Sequence, residues 1–150
     1  MECGVIIMAI AQYKMPDEFL DKISRLADRT DEIIPRVLEA GGEVVLEQVR
    51  QNLQAVIGNG TKYPSRSTGE LLGALGISPA KLDRNGNFNV KVGFDEPRSG
   101  TASNALVASV LEHGKHGQPP RPFMRPARNA ARHETIEAMK RKLEEEVGNV

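Results

Sequence analysis

Four arginines, Arg121, Arg125, Arg128 and Arg132, recur at spacings of four, three and four near the end of a 150-residue chain. On a helix that opens at Pro126, Arg125, Arg128 and Arg132 project from one side, opposite an apolar stripe. Guanidinium groups in such a row suit two chemistries. One is a nucleic-acid backbone, where each phosphate neutralised adds about one unit to the salt slope of binding. The other is a set of carboxylates, which the planar guanidinium engages bidentately as lysine does not. No aromatic residue interleaves with Arg125, Arg128 and Arg132, and no helix-turn-helix pattern precedes them. Glu134, Glu137 and the run Glu144, Glu145 and Glu146 follow directly. Nucleic acid is therefore the second reading. The favoured partners are carboxylates of the acidic first helix or of a neighbouring subunit.

Candidates for catalysis and metal binding are few. Glu112, His113 and His116 offer three ligands, but Gly114 and Gly117 break the helix that would hold them at i and i+4. Ser65, Ser67 and Ser99 lie on loops without a nucleophile elbow. Gly58 and Gly60 follow a helix and lack the Gly-Lys-Ser/Thr ending of a phosphate loop. Cys3 is the sole cysteine, so no internal disulfide is available. The expectation is a protein that is not an enzyme and carries no cofactor or metal.

The elements that position these residues follow from periodicity. Residues 5–11 read as a strand, loosely attached within residues 1–15, with no basic segment before it and no cleavage site after it. Pro16, Asp17 and Glu18 open a short helix that places Phe19, Ile23 and Leu26 on one face. A longer helix spans 31–57, with Ile34, Val37, Leu38, Val45, Val49, Leu53 and Val56 at helical spacings; Gly41 and Gly42 mark a kink or a close approach. Ser67 and Glu70 have capping-box spacing for a short helix through Leu71, Leu72 and Leu75. Phe88, Val90, Val92 and Phe94 alternate as a strand. Asn85-Gly86 before them predicts a type I′ hairpin with a partner strand inside 77–83.

Residues 95–103 and 114–121 read as flexible loops. Between them a helix carries Leu106, Val110 and His113 on one stripe. The last helix starts at Pro126 with Ala127, Ala131, Ile136, Met139, Leu143 and Val147 inward. In Pro122-Phe123-Met124-Arg125-Pro126 two prolines fix φ and remove donors, so Phe123 and Met124 are presented from a stiff extended segment. Phe123 then serves either its own core or an adjacent subunit. The whole is an α+β fold in a single domain, residues 1–150: N-terminal helices, a small antiparallel sheet and a C-terminal helix.

Twenty basic and twenty acidic side chains cancel, which removes any global field toward nucleic acid or membrane. The balance is uneven along the chain. Residues 1–60 carry six basic and ten acidic groups, and residues 61–150 carry fourteen and ten. No apolar run approaches the roughly 20 residues of a membrane span. Six aromatic residues, none of them Trp, leave a core of aliphatic side chains, so part of the burial is expected from neighbouring copies.

Leu111-Glu112-His113-Gly114, a polar loop and then Arg121-Pro122-Phe123-Met124-Arg125-Pro126-Ala127 form a pattern that resembles the tail-completion family of long-tailed phages. Tyr63-Pro64 with Thr68-Gly69-Glu70-Leu71, and Val90-Lys91-Val92-Gly93, are similar to that family's Thr-Gly-x-Leu and Val-x-Val-Gly motifs, in the same order. The family usually has an aromatic residue where His113 stands. The resemblance implies a structural virion protein, a minor tail or head-tail joining component without catalytic residues. Such a protein forms a homo-oligomeric ring, sixfold to match the tail, at the head-proximal end of the tube. Its partners are itself and other neck and tail proteins, with no membrane, and its location is the virion, by way of the host cytoplasm during assembly. The residues expected at the subunit interface are Glu112, Pro122, Phe123, Met124, Arg125, Pro126, Arg128 and Arg132.

Overall fold

Two long helices lie against each other in a computed structural model that describes residues 14–59, 67–96 and 99–150. Helix α1 (Asp17–Asp28) is followed after one residue by α2 (Thr30–Val56), and α5 (Met124–Gly148) closes the chain. Between them come α3 (Glu70–Gly73), β1 (Leu75–Ile77), β2 (Lys81–Leu82), β3 (Phe88–Asn89), β4 (Val92–Phe94) and α4 (Asn104–His113). The fold is α+β, as the sequence predicts. The expected strand over residues 5–11 lies outside the described residues.

Helices α2 and α5 run antiparallel. Arg36 near the start of α2 meets Glu146 near the end of α5, Gly41 faces Thr135 and Met139, and Asn52 donates to the Phe123 carbonyl at the start of α5. The two glycines do not break α2. A Cβ at Gly41 would lie 2.6 Å from Met139 Cγ, and one at Gly42 would lie 2.5 Å from Ile77 Cδ1. The missing side chains thus admit α5 on one side and the sheet on the other, which is the close approach and not the kink.

The core cluster joins Val49 and Leu53 of α2, Leu71, Leu75, Ala108, Phe123 and Ala127. Phe123 is fully buried, and its ring meets Phe94 edge-on at 6.1 Å.

The hairpin forms where Asn85-Gly86 predicts it, in two ladders. β1 pairs with β4, Leu75 opposite Phe94, and β2 pairs with β3, Lys81 opposite Asn89. Its turn differs. Gly86 alone has positive φ, whereas type I′ requires Asn85 to have it as well. Asp83 caps the turn instead, accepting from the amides of Asn85 and Asn87, which hold its carboxyl below the ordinary range. The capping box at Ser67 is also absent: Gly69, with φ of 78°, is the N-cap of α3, and Ser67 Oγ accepts from the Gly69 amide.

Helical faces are displaced from those expected. In α4 the buried residues are Asn104 and Ala108, while Leu106 is exposed. In α5 they are Ala127, Ala131 and Glu146, while Ile136, Leu143 and Val147 are more than two-fifths exposed. Small residues form the seam because α2 comes so close. The larger aliphatic residues are turned to solvent. Glu146, the last of the glutamate run, is buried under Arg36 at 2.9 Å and Lys142 at 3.4 Å.

Candidate assembly surface

The start of α5 is built by a carboxylate eleven residues upstream. A helix begins with four amides that lack intrahelical partners. Glu112 Oε2 accepts from the amides of Phe123 at 2.8 Å and Met124 at 3.0 Å, and Oε1 accepts from that of Arg125 at 2.9 Å. The fourth position is Pro126, which has no N–H to satisfy. Burial alone would raise the Glu112 carboxyl. The amides of Phe123, Arg125 and Met124, with His113 beside it, outweigh burial and hold it below its ordinary value. Its negative charge also faces the positive end of α5.

The loop before α5 aims this segment. Gly114 has φ of 76°, and a Cβ there would come within 2.7 Å of the Gln118 carbonyl, so only glycine fits. Lys115 and Gln118 bridge, and the Arg121 amide donates to the Leu111 carbonyl. Helix α5 starts at Met124 instead of Pro126, which occupies its third position. Phe123 has φ of −131° and ψ of −35°, so the segment is not the extended strand the prolines suggested.

The expected interface residues therefore fall into two groups. Glu112 and Phe123 make the contacts just described inside their own subunit, and Met124 is half-buried beside the core. Pro122, Arg125, Pro126, Arg128 and Arg132 are exposed. The side chains of Arg125, Arg128 and Arg132 have no carboxylate partner among the described residues. They share one stripe of α5 that continues into exposed Ile136, Leu143 and Val147.

A shallow depression of about 350 Å³ beside this segment is lined by Phe94, Ala105, Ser109, Glu112, His113 and Met124. Its carboxylate is committed to three amides and is a weak proton acceptor in consequence. Among the described residues no three His, Cys, Asp or Glu side chains gather to hold a metal ion, and no helix is long and apolar enough to cross a membrane.

Periodicity alone misses the buried polar groups: Glu146, and Asn104, whose Nδ2 donates to the Asp95 carbonyl at 2.7 Å. It does find α1, with Phe19 and Ile23 on one face, but not that this face is left exposed. No residue of α1 is buried, and Phe19, Leu20 and Ile23 are nearly half exposed.

Comparison with known proteins gives one family. The profile of the HK97-gp10-like family, described as "Bacteriophage HK97-gp10, putative tail-component", matches residues 17–114. No curated protein and no solved structure matches significantly.

Proposed function

Because the chain belongs to the HK97-gp10-like family of phage tail components, we propose that it is a tail-completion subunit: a structural virion protein, not an enzyme, that assembles into a sixfold ring at the head-proximal end of the tail tube and joins tail to head. The observation that carries this reading is the amphipathic helix α1, whose apolar face is not buried by any of the described residues. A closed ring uses a heterologous contact between two different patches of each subunit. The exposed arginine stripe of α5 and the acidic, apolar α1 are two such patches. The neighbours in the virion are other neck and tail proteins, after assembly in the host cytoplasm.

Gold-labelled protein added to purified tail tubes and imaged by electron microscopy tests this role. Label at one end of each tube is expected. Label distributed along the tube, or none retained, refutes it.

A second reading, a nucleic-acid contact through Arg125, Arg128 and Arg132, is favoured by the lack of carboxylate partners for these side chains among the described residues. Titration with duplex DNA at ~50 mM salt, where phosphate contacts are strongest, decides it. Absence of binding there removes the second reading.

A further inference from the structure

We propose that Asn85, in the turn between β2 and β3, is a site of spontaneous deamidation, in which the Gly86 amide nitrogen displaces ammonia from the Asn85 side chain, and that Asp83 limits the rate by holding the turn closed. It does not depend on the assembly reading above.

Asparagine is one of the thermolabile residue types. The chain has two Asn-Gly pairs, Asn59-Gly60 and Asn85-Gly86, and the second lies wholly within the described residues. Residues 83–87 are all exposed. Glycine leaves the attacking nitrogen unhindered, and a Cβ at Gly86 would meet no atom within 4 Å, so a ring has room to form there. The Asn85 side-chain amide makes no hydrogen bond among the described residues; only its main-chain N–H is held. By contrast Asn52 donates to the Phe123 carbonyl, Asn104 to the Asp95 carbonyl and Asn87 to the Asp83 carboxylate. Those three are followed by Leu53, Ala105 and Phe88, whose side chains crowd the same attack.

The reaction needs no co-reactant but water. The Gly86 nitrogen gives up its proton and bonds to Asn85 Cγ, the Cγ–Nδ2 bond breaks, and Nδ2 leaves with that proton as ammonia. The product is a cyclic succinimide. Water then opens one of the two carbonyl–nitrogen bonds of the ring. Opening at Cγ leaves an aspartyl residue, and opening at the main-chain carbonyl leaves an isoaspartyl residue. Either product places a new carboxylate close in sequence to Asp83. The isoaspartyl product also lengthens the main chain by a methylene carbon inside the turn that sets Leu82 opposite Phe88.

The same turn restrains the first step. The Gly86 N–H donates to the Asp83 carbonyl at 3.1 Å, and that proton must be released before the nitrogen attacks. Asp83 closes the loop in two further ways. Its amide donates to the Asn87 carbonyl at 2.8 Å, and its Oδ1 accepts from the amides of Asn85 at 2.8 Å and Asn87 at 2.9 Å. Asp83 is thus a positioning residue that acts through the turn and takes no part in the bond changes.

Ageing of wild type, Asp83→Ala and Asp83→Asn in mildly alkaline buffer, each folded and each in urea, tests both parts. Circular dichroism verifies the folds. Tandem mass spectrometry follows the amide-to-acid mass gain at position 85, and isoaspartyl methyltransferase labels the rearranged product. Folded wild type is expected to react at position 85, more slowly than in urea. Asp83→Ala lacks the Oδ1 acceptor, so its folded form reacts roughly threefold to tenfold faster, the weight of one net hydrogen bond. Asp83→Asn keeps an Oδ1 acceptor and stays within about twofold of wild type. In urea all three react at one rate.

Folded wild type without a mass gain at position 85 overturns the site. Equal folded rates for wild type and Asp83→Ala, or a difference between them that persists in urea, overturn the role of Asp83. None of these outcomes bears on ring assembly.

Discussion

Replacing Glu112 by Ala removes the acceptor for three amides at once. The Phe123 and Met124 amides are partly buried, so each is left without a water to replace the carboxylate, at about 1–2 kcal/mol apiece. The Arg125 amide is exposed and rehydrates at little cost. Loss of a negative charge at the positive end of α5 adds about 0.5–1 kcal/mol. The expected total is about 2.5–5 kcal/mol, read as a lower urea midpoint at constant slope. Glu112→Gln retains one carbonyl oxygen but loses the charge, and falls between wild type and Glu112→Ala.

The pH dependence has a definite sign. The folded carboxyl titrates below its ordinary value of about 4.3, so its stabilisation is complete above that value and is lost as pH falls through the folded pKa. The difference between wild type and Glu112→Ala is therefore widest at neutral pH and narrows below about pH 4. A Glu112→Ala protein within about 0.5 kcal/mol of wild type at pH 7 refutes the reasoning, because three satisfied amides would then be worth nothing.

Phe123→Ala empties a fully buried site against Phe94 and is expected to cost about 3–5 kcal/mol in urea unfolding; a cost under 1 kcal/mol places the ring outside the core. Gly41→Ala gains about 1 kcal/mol of helix propensity but drives a methyl into Met139 Cγ and Sδ, so a net loss of about 1–2 kcal/mol is expected, and a higher melting temperature contradicts the close approach of α2 and α5. Arg36→Met strips Glu146 of its nearer cation. Burial would raise that carboxyl, and Arg36 with Lys142 holds it below its ordinary value, so the variant is destabilised at pH 7 and approaches wild type as pH falls through the folded pKa. A destabilisation independent of pH contradicts the pair.

What the sequence makes legible here is apolar periodicity and turn chemistry. Val37, Val49 and Leu53 at helical spacing mark the buried face of α2, and Asn85-Gly86 followed by alternating Phe88 to Phe94 marks the hairpin. Both signals are written in residue types that bury or turn for local reasons. The phase of α5 is legible only in part. Ala127, Ala131 and Met139 lie in the seam with α2 as the spacing predicts, joined there by Thr135 and Glu146, while Ile136, Leu143 and Val147 of the same expected stripe face outward. Pro126 misleads about where α5 begins because its third position tolerates a missing donor as well as its first. Glu112 stood out beside the Pro-Phe-Met-Arg-Pro segment, but its partners are backbone amides, which no residue type reports.

Native mass spectrometry of the wild-type protein over increasing concentration tests the central claim most directly, since a subunit completed by its neighbours must exist as a closed assembly. A single oligomer of six chains, with no larger species as concentration rises, is the predicted result. Monomer throughout, or an open series of oligomers without a preferred size, contradicts it.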